Sequence, residues 1–291
     1  MRSAAPNSVL VPNLQPELAS AKHLSRKILS MTLNQSRATL LAVPPLTLLL
    51  AACGGGASVN DQGSFLNGQV LMGAGRPVDD NGTGNVCIYA ITGGLGNPVT
   101  ASVSPPTNTG TLLTSGCIPT AADGSFSANL TSFYGPVLIQ ITGGSYASVA
   151  TSGRATLANL VSTNASLRAI VNIGGGGTVN AVVTPLTTVA TAIAQSLPGG
   201  LTLANYAEAS NTVAAEFQLG SLNINSAPTA DDPYDLALNG VQDYLAAPPG
   251  AADDPNANNL LTWTLTASNV QADYVAAYNA INDTKLTFTF H

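Results

Sequence analysis

Between Ser64 and Val183 apolar residues fall in short runs, several alternating with polar ones and separated by turn residues. This pattern predicts strands. The runs are GQVLM from Gly68, NVCIYAI from Asn85, GTLLTSGCIPT from Gly110, GSFSANL from Gly124, GPVLIQITG from Gly135, ASLRAIVNI from Ala165 and TVNAVVT from Thr178. The breakers are Asp79–Gly82, Gly93–Gly94, Ser104–Pro106, Asp123–Gly124 and Gly174–Gly177. Asp123–Gly124 reads as a tight hairpin turn, because glycine accepts the positive φ such a turn needs.

At Thr184 the period changes from two to about 3.6. Thr184 is placed to cap a helix with Pro185 at its first position, and Leu186, Val189, Ala190, Ile193 and Leu197 share one face. A second helix is expected from Leu203 to Leu219 with Tyr206, Val213 and Phe217 inward, closed by Gly220. A third begins at Asp232–Pro233, turns Tyr234, Leu238, Val241 and Leu245 inward, and ends before Pro248–Pro249. The last starts at Ser268, where Gln271 completes a capping box, and its inward set is Val270, Tyr274, Ala277, Tyr278 and Ile281. KLTFTF from Lys285 alternates like a closing strand, and residues 257–267 fit helix and strand equally. The fold class is therefore α+β: an antiparallel β-sandwich over 64–183, then a mostly helical domain over 184–291.

Upstream the pattern differs. Ala38–Leu50 carries no charge and follows Arg37, which matches the basic region and apolar core of a secretory signal. It is shorter than the roughly 20 apolar residues of a membrane span, and Pro44–Pro45 interrupts it. Lys22, Arg26 and Lys27 lie far ahead of it, so we read 1–52 as a signal with a long extension and Met31 as the natural start. Its end, Leu50-Ala51-Ala52-Cys53, resembles the lipobox of bacterial lipoproteins. The resemblance implies that Cys53 becomes the first mature residue and carries a diacylglycerol, with a further chain such as palmitate on its amine. Two or more chains anchor stably, each buried methylene contributing about 0.8 kcal/mol. Residues 53–63, opening on Gly54–Gly56, then form a flexible tether. Gly54 stands where an aspartate commonly retains such proteins at the inner membrane, so the resemblance implies the outer membrane.

From Cys53 onward four basic residues, Arg76, Arg154, Arg168 and Lys285, face fourteen acidic ones, a net charge of −10. That balance argues against a nucleic-acid partner. Cys87 and Cys117 remain as an even pair, which reads as a disulfide in an exported protein. Closing such a loop stabilises a fold by about 3–4 kcal/mol.

The β part resembles the carboxypeptidase-regulatory or transthyretin-like sandwich of bacterial envelope proteins. The matching stretches are GQV and GRPV, VCIYA, TAADGSF and GPVLIQITGGSY, in that order. VTPLTTVATAIA from Val183 is similar to the segment leading from this sandwich into a helical extension. Asp79–Gly84 departs from the family as a longer, acidic insertion. The resemblance implies a structural or binding role without a shared active site.

The chemistry points the same way. His291 is the only histidine after Cys53, so a serine or cysteine nucleophile has no other imidazole as base. GGSYA from Gly143 lacks the closing glycine of a nucleophile elbow, and GGGG from Gly174 is followed by no Lys-Ser or Lys-Thr. The pairs Asp79–Asp80, Asp231–Asp232 and Asp253–Asp254, with Asp235 and Asp243 nearby, read as caps and solvated loops rather than glycosidase acids. No cofactor is expected, with one exception: Asp79, Asp80 and Asn81 offer the hard oxygen ligands that suit calcium. Tyr89, Phe126, Phe133, Tyr134 and Tyr146 are read as core, the alternative being an exposed row that stacks sugars. The expected function is a non-enzymatic, lipid-anchored envelope module whose partners are the membrane and envelope proteins or glycans. The alternative is a surface-displayed adhesion or glycan-binding lipoprotein, calcium-dependent in one form.

Overall fold

The computed structural model describes residues 63–82, 84–92, 109–131, 133–150, 153–156, 166–174, 176–246 and 268–287. The expected signal, the lipobox from Leu50 to Cys53, nearly all of the tether and the ambiguous 257–267 lie outside them.

The described strands are β1 (Ser64–Val70), β2 (Val86–Ile91), β3 (Thr109–Leu112), β4 (Ser125–Asn129), β5 (Gly135–Thr142), β6 (Ser145–Ala147), β7 (Arg154–Thr156), β8 (Ser166–Ile173) and β9 (Gly177–Val183). The helices are α1 (Pro185–Ser196), α2 (Leu203–Glu216), α3 (Pro233–Ala246) and α4 (Ser268–Asn282). The chain is thus mixed α+β. One sheet runs β3-β2-β5-β8, a second β4-β1-β9, and β6-β7 form a short ribbon.

Each expected run contains a strand, but three features were not legible. The long run from Gly110 forms only β3 before turning, with a bridge from Ile118 back to Val86. Asp123–Gly124 does turn the chain, Gly124 N donating to Ala121 O at 2.8 Å, yet the flanking strands β3 and β4 belong to different sheets. Gly124 sits at φ +75° and a Cβ there would lie 2.5 Å from Val70 O, so both conformation and space require glycine. The pairing is also not wholly antiparallel. β9 runs parallel to β1 from Ser64↔Gly177 to Val70↔Val183, a contact between strands more than a hundred residues apart that no local pattern encodes.

Inward side chains of both sheets and all four helices join one core, from Leu66, Ile88 and Ile139 through Leu186 and Val213 to Leu238 and Tyr274. α1 shows why the strand-rich and helix-rich stretches merge there. It begins as expected, with Thr184 as cap, Pro185 first, and Thr184 and Thr187 bonded reciprocally as a capping box. But it packs against both β8 and α2 and is buried on most sides. Its threonines make this affordable: Thr187 and Thr188 donate to Thr184 O and Thr191 to Thr187 O, at 2.8–2.9 Å. Each buried hydroxyl is satisfied within its own helix.

α2 and α3 bury the expected sets, Tyr206, Val213 and Phe217 in one, Tyr234, Leu238, Val241 and Leu245 in the other. α2 ends at Glu216, and Gln218 as well as Gly220 takes positive φ after it. Asp232 caps α3, its Oδ1 accepting from Asp235 N at 2.7 Å. In α4, Tyr274 and Tyr278 are buried as expected, whereas the side chains of Val270 and Gln271 lie outside the described residues. The described start of the expected closing strand, Lys285–Thr287, is irregular and exposed; Leu286 N is held instead by Asn279 Oδ1 at 2.8 Å.

α3 and α4 approach closely at Gly240, where a Cβ would lie 2.9 Å from Tyr278 Cβ. Gly240→Ala therefore sets a helix-propensity gain of about 1 kcal/mol against overpacking of about 1–3 kcal/mol. The expected net is a loss of about 1 kcal/mol, measured by denaturant unfolding; a stabilised variant would contradict the close crossing.

Candidate functional site

Three regions carry the polar chemistry of the described residues. The first is the acidic insertion, whose carboxylates are used by its own backbone. Asp79 Oδ1 accepts from Asn81 N at 2.9 Å, while the buried Asp80 accepts from Gly82 N at 2.8 Å and Gly84 N at 2.7 Å. Asp79 also faces Arg154 across 3.9 Å. Asn81 is exposed at φ +57°. The loop is thus wound around Asp80, and Gly84, at φ +84°, leaves room for Cys117 O. Cys87 and Cys117 stand at disulfide distance beside it, their Cα atoms 4.4 Å apart. Among the described residues no three His, Cys, Asp or Glu side chains gather as a metal site.

The second region is a clamp from α3 onto the turn after β1. Asp235, Asn239 and Gln242 recur at helical spacing on one face. Asp235 Oδ1 accepts from Ala74 N at 2.8 Å and pairs with the Arg76 guanidinium, which also donates to Asn239 Oδ1. Gln242 donates to Met72 O at 2.8 Å. Arg76 belongs to the GRPV stretch, but its partners lie about 160 residues away in sequence. Asp235 therefore ties α3 to the turn after β1, and Asp232 caps a helix. Asp243, by contrast, is partly desolvated and held above the usual carboxylate range. Arg168, fully buried on β8, bonds Ser166 Oγ through Nε at 3.0 Å, and burial pulls its guanidinium down to about 10.

The third region was missed at the sequence level. A cleft of about 490 Å³ lies between α2 and the loop after it, lined by Ser210, Asn211, Asn223 and Asn225 with small apolar walls at Ala207 and Ala214. A second cleft of about 300 Å³ shares Ala207 and Asn225 and extends past Tyr206 to Asn172 on β8 and Asn180 on β9. The buried Tyr206 hydroxyl donates to Asn225 Oδ1 at 2.8 Å, and Asn225 in turn donates to Asn223 Oδ1 through N at 2.9 Å and Nδ2 at 3.1 Å. Burial pushes the Tyr206 phenol up, so it stays protonated as the donor. Ser210, 7% exposed, has no partner at its Oγ that meets hydrogen-bond geometry. The sequence signal was the NIN run at Asn223–Asn225 directly after a helix, which looks like an ordinary loop.

The aromatics divide. Tyr146 and Phe126 are buried, Tyr89 and Phe133 pack partly against the core, and only Tyr134 of the five is exposed, at 58%. They form no exposed row. No described helix is long and apolar enough to cross a membrane. No family model matches the chain, and neither a curated protein nor a solved structure does.

Proposed function

We propose that this protein is a non-enzymatic, lipid-anchored component of the bacterial cell envelope, held in the outer membrane through acylated Cys53 and presenting its folded part as a binding or scaffolding surface. The observation that carries the reading is Leu50-Ala51-Ala52-Cys53 at the end of an uncharged run, followed by three glycines. A helix-breaking proline pair in that run favours a cleaved signal over a membrane span. The folded part is read as a transthyretin-like sandwich with a helical extension. Seven strands in sheets of four and three, sharing one core, support that reading. The use of Asp235 and Asp232 as clamp and cap supports a non-catalytic role for those carboxylates.

Cys53→Ala tests the anchor. The variant is expected to incorporate no labelled palmitate and to keep its signal uncleaved, since one thiol carries the diacylglycerol and directs cleavage. A variant that still incorporates palmitate, or is still cleaved ahead of residue 53, would refute the anchor.

A further inference from the structure

We infer that the two clefts meeting at Ala207 and Asn225 form a binding site for a neutral oligosaccharide. This rests on the reading of the protein as a binding module and gives that module a ligand class.

Charge comes first. No charged side chain lines either cleft, although acidic residues dominate the chain from Cys53 onward. A ligand bearing phosphate, carboxylate or ammonium would lose hydration there without gaining a counter-charge. A neutral ligand avoids that cost.

The polar groups are amides and hydroxyls. An asparagine amide offers two donors and an acceptor, a set that matches adjacent sugar hydroxyls. Among the described residues several of these valences are open: Asn223 Oδ1 takes both bonds from Asn225, leaving the Asn223 Nδ2 hydrogens without an acceptor there, and Asn211 is exposed with no side-chain bond. Ser210 Oγ adds a buried hydroxyl to the wall of the first cleft, where it also interacts with the Tyr206 phenol. The array is fixed before any ligand arrives, because the buried Tyr206 holds Asn225 and Asn225 holds Asn223. Such preorganisation lowers the entropy lost on binding. Ala207, Ala214 and Ala215 leave room beside these groups for the C–H face of a ring. A cleft of about 490 Å³ falls within the size range of small-ligand sites.

The test is calorimetric titration of the detergent-solubilised full protein with neutral hexasaccharides: α-1,4-glucan, β-1,4-glucan, β-1,4-mannan and chitin-derived. An acidic galacturonate hexamer and an extended neutral peptide serve as controls. At least one neutral sugar is expected to bind at millimolar concentration or below, and neither control should. Asn223→Ala should weaken binding about tenfold, the effect of losing one or two hydrogen bonds. Ala207→Trp, on the exposed side of α2 and lining both clefts, should abolish it while the melting temperature is unchanged. Three results would overturn the site: no sugar binds, the acidic hexamer or the peptide binds as well, or Ala207→Trp binds normally. If no sugar binds while Cys53→Ala still abolishes palmitate incorporation, the site fails and the anchored module stands. Sugar binding by a protein whose anchor test fails would leave the site without that module.

Discussion

Asp235→Ala is expected to be strongly destabilising, costing about 3 kcal/mol. The carboxylate is 5% exposed and its partner Arg76 15%, so removal strands a largely buried guanidinium rather than returning it to water. It also removes the acceptor of Ala74 N, leaving an amide of the turn unmatched. For a domain of this size the melting temperature should fall by about 6–12 °C. The double variant Arg76→Met with Asp235→Leu should recover much of that loss, because the cost lies in the stranded charge and not in the pair itself. Thermal unfolding of the single and double variants decides it. If Asp235→Ala melted with the parent, α3 would not be clamping the turn after β1.

Reduction is expected to have an effect of similar size. The bridge from Cys87 to Cys117 spans 30 residues and ties the stretch after β3 back to β2, where Val86 and Ile118 exchange backbone hydrogen bonds at 2.8–2.9 Å. Freeing that loop in the unfolded chain should cost about 3–4 kcal/mol, or on the order of 10 °C in melting temperature. Melting with and without dithiothreitol gives the shift, and thiol counting in denaturant gives the pairing. Equal melting points, or two titratable thiols in the untreated denatured protein, would contradict the bridge.

These two features show what the sequence could and could not disclose. The Cys87–Cys117 pairing was legible because only two cysteines follow Cys53, which leaves one possible pairing. The strands and helix faces were legible because their periods are local: Tyr234, Leu238, Val241 and Leu245 announce one face of α3. The Arg76–Asp235 clamp was not, since neither residue's neighbours indicate a partner about 160 positions away. The same holds for β9 beside β1, where Phe65 meets Thr178 and Asn67 meets Asn180 through chain topology alone. β6 and β7, at three residues each, are too short to display a period. The cleft at Tyr206 was hidden differently. The helical period places Tyr206 inward, as it is, but its hydroxyl reaches Asn225 only once the chain after α2 folds back.

The central claim is that Cys53 begins the mature protein and carries its lipid. Mass spectrometry of the amino-terminal proteolytic peptide from protein extracted out of cell membranes tests it most directly. The account predicts a peptide beginning at Cys53 whose mass includes a diacylglycerol and a further acyl chain. A mature terminus elsewhere, or a peptide with an unmodified Cys53 thiol, would contradict it.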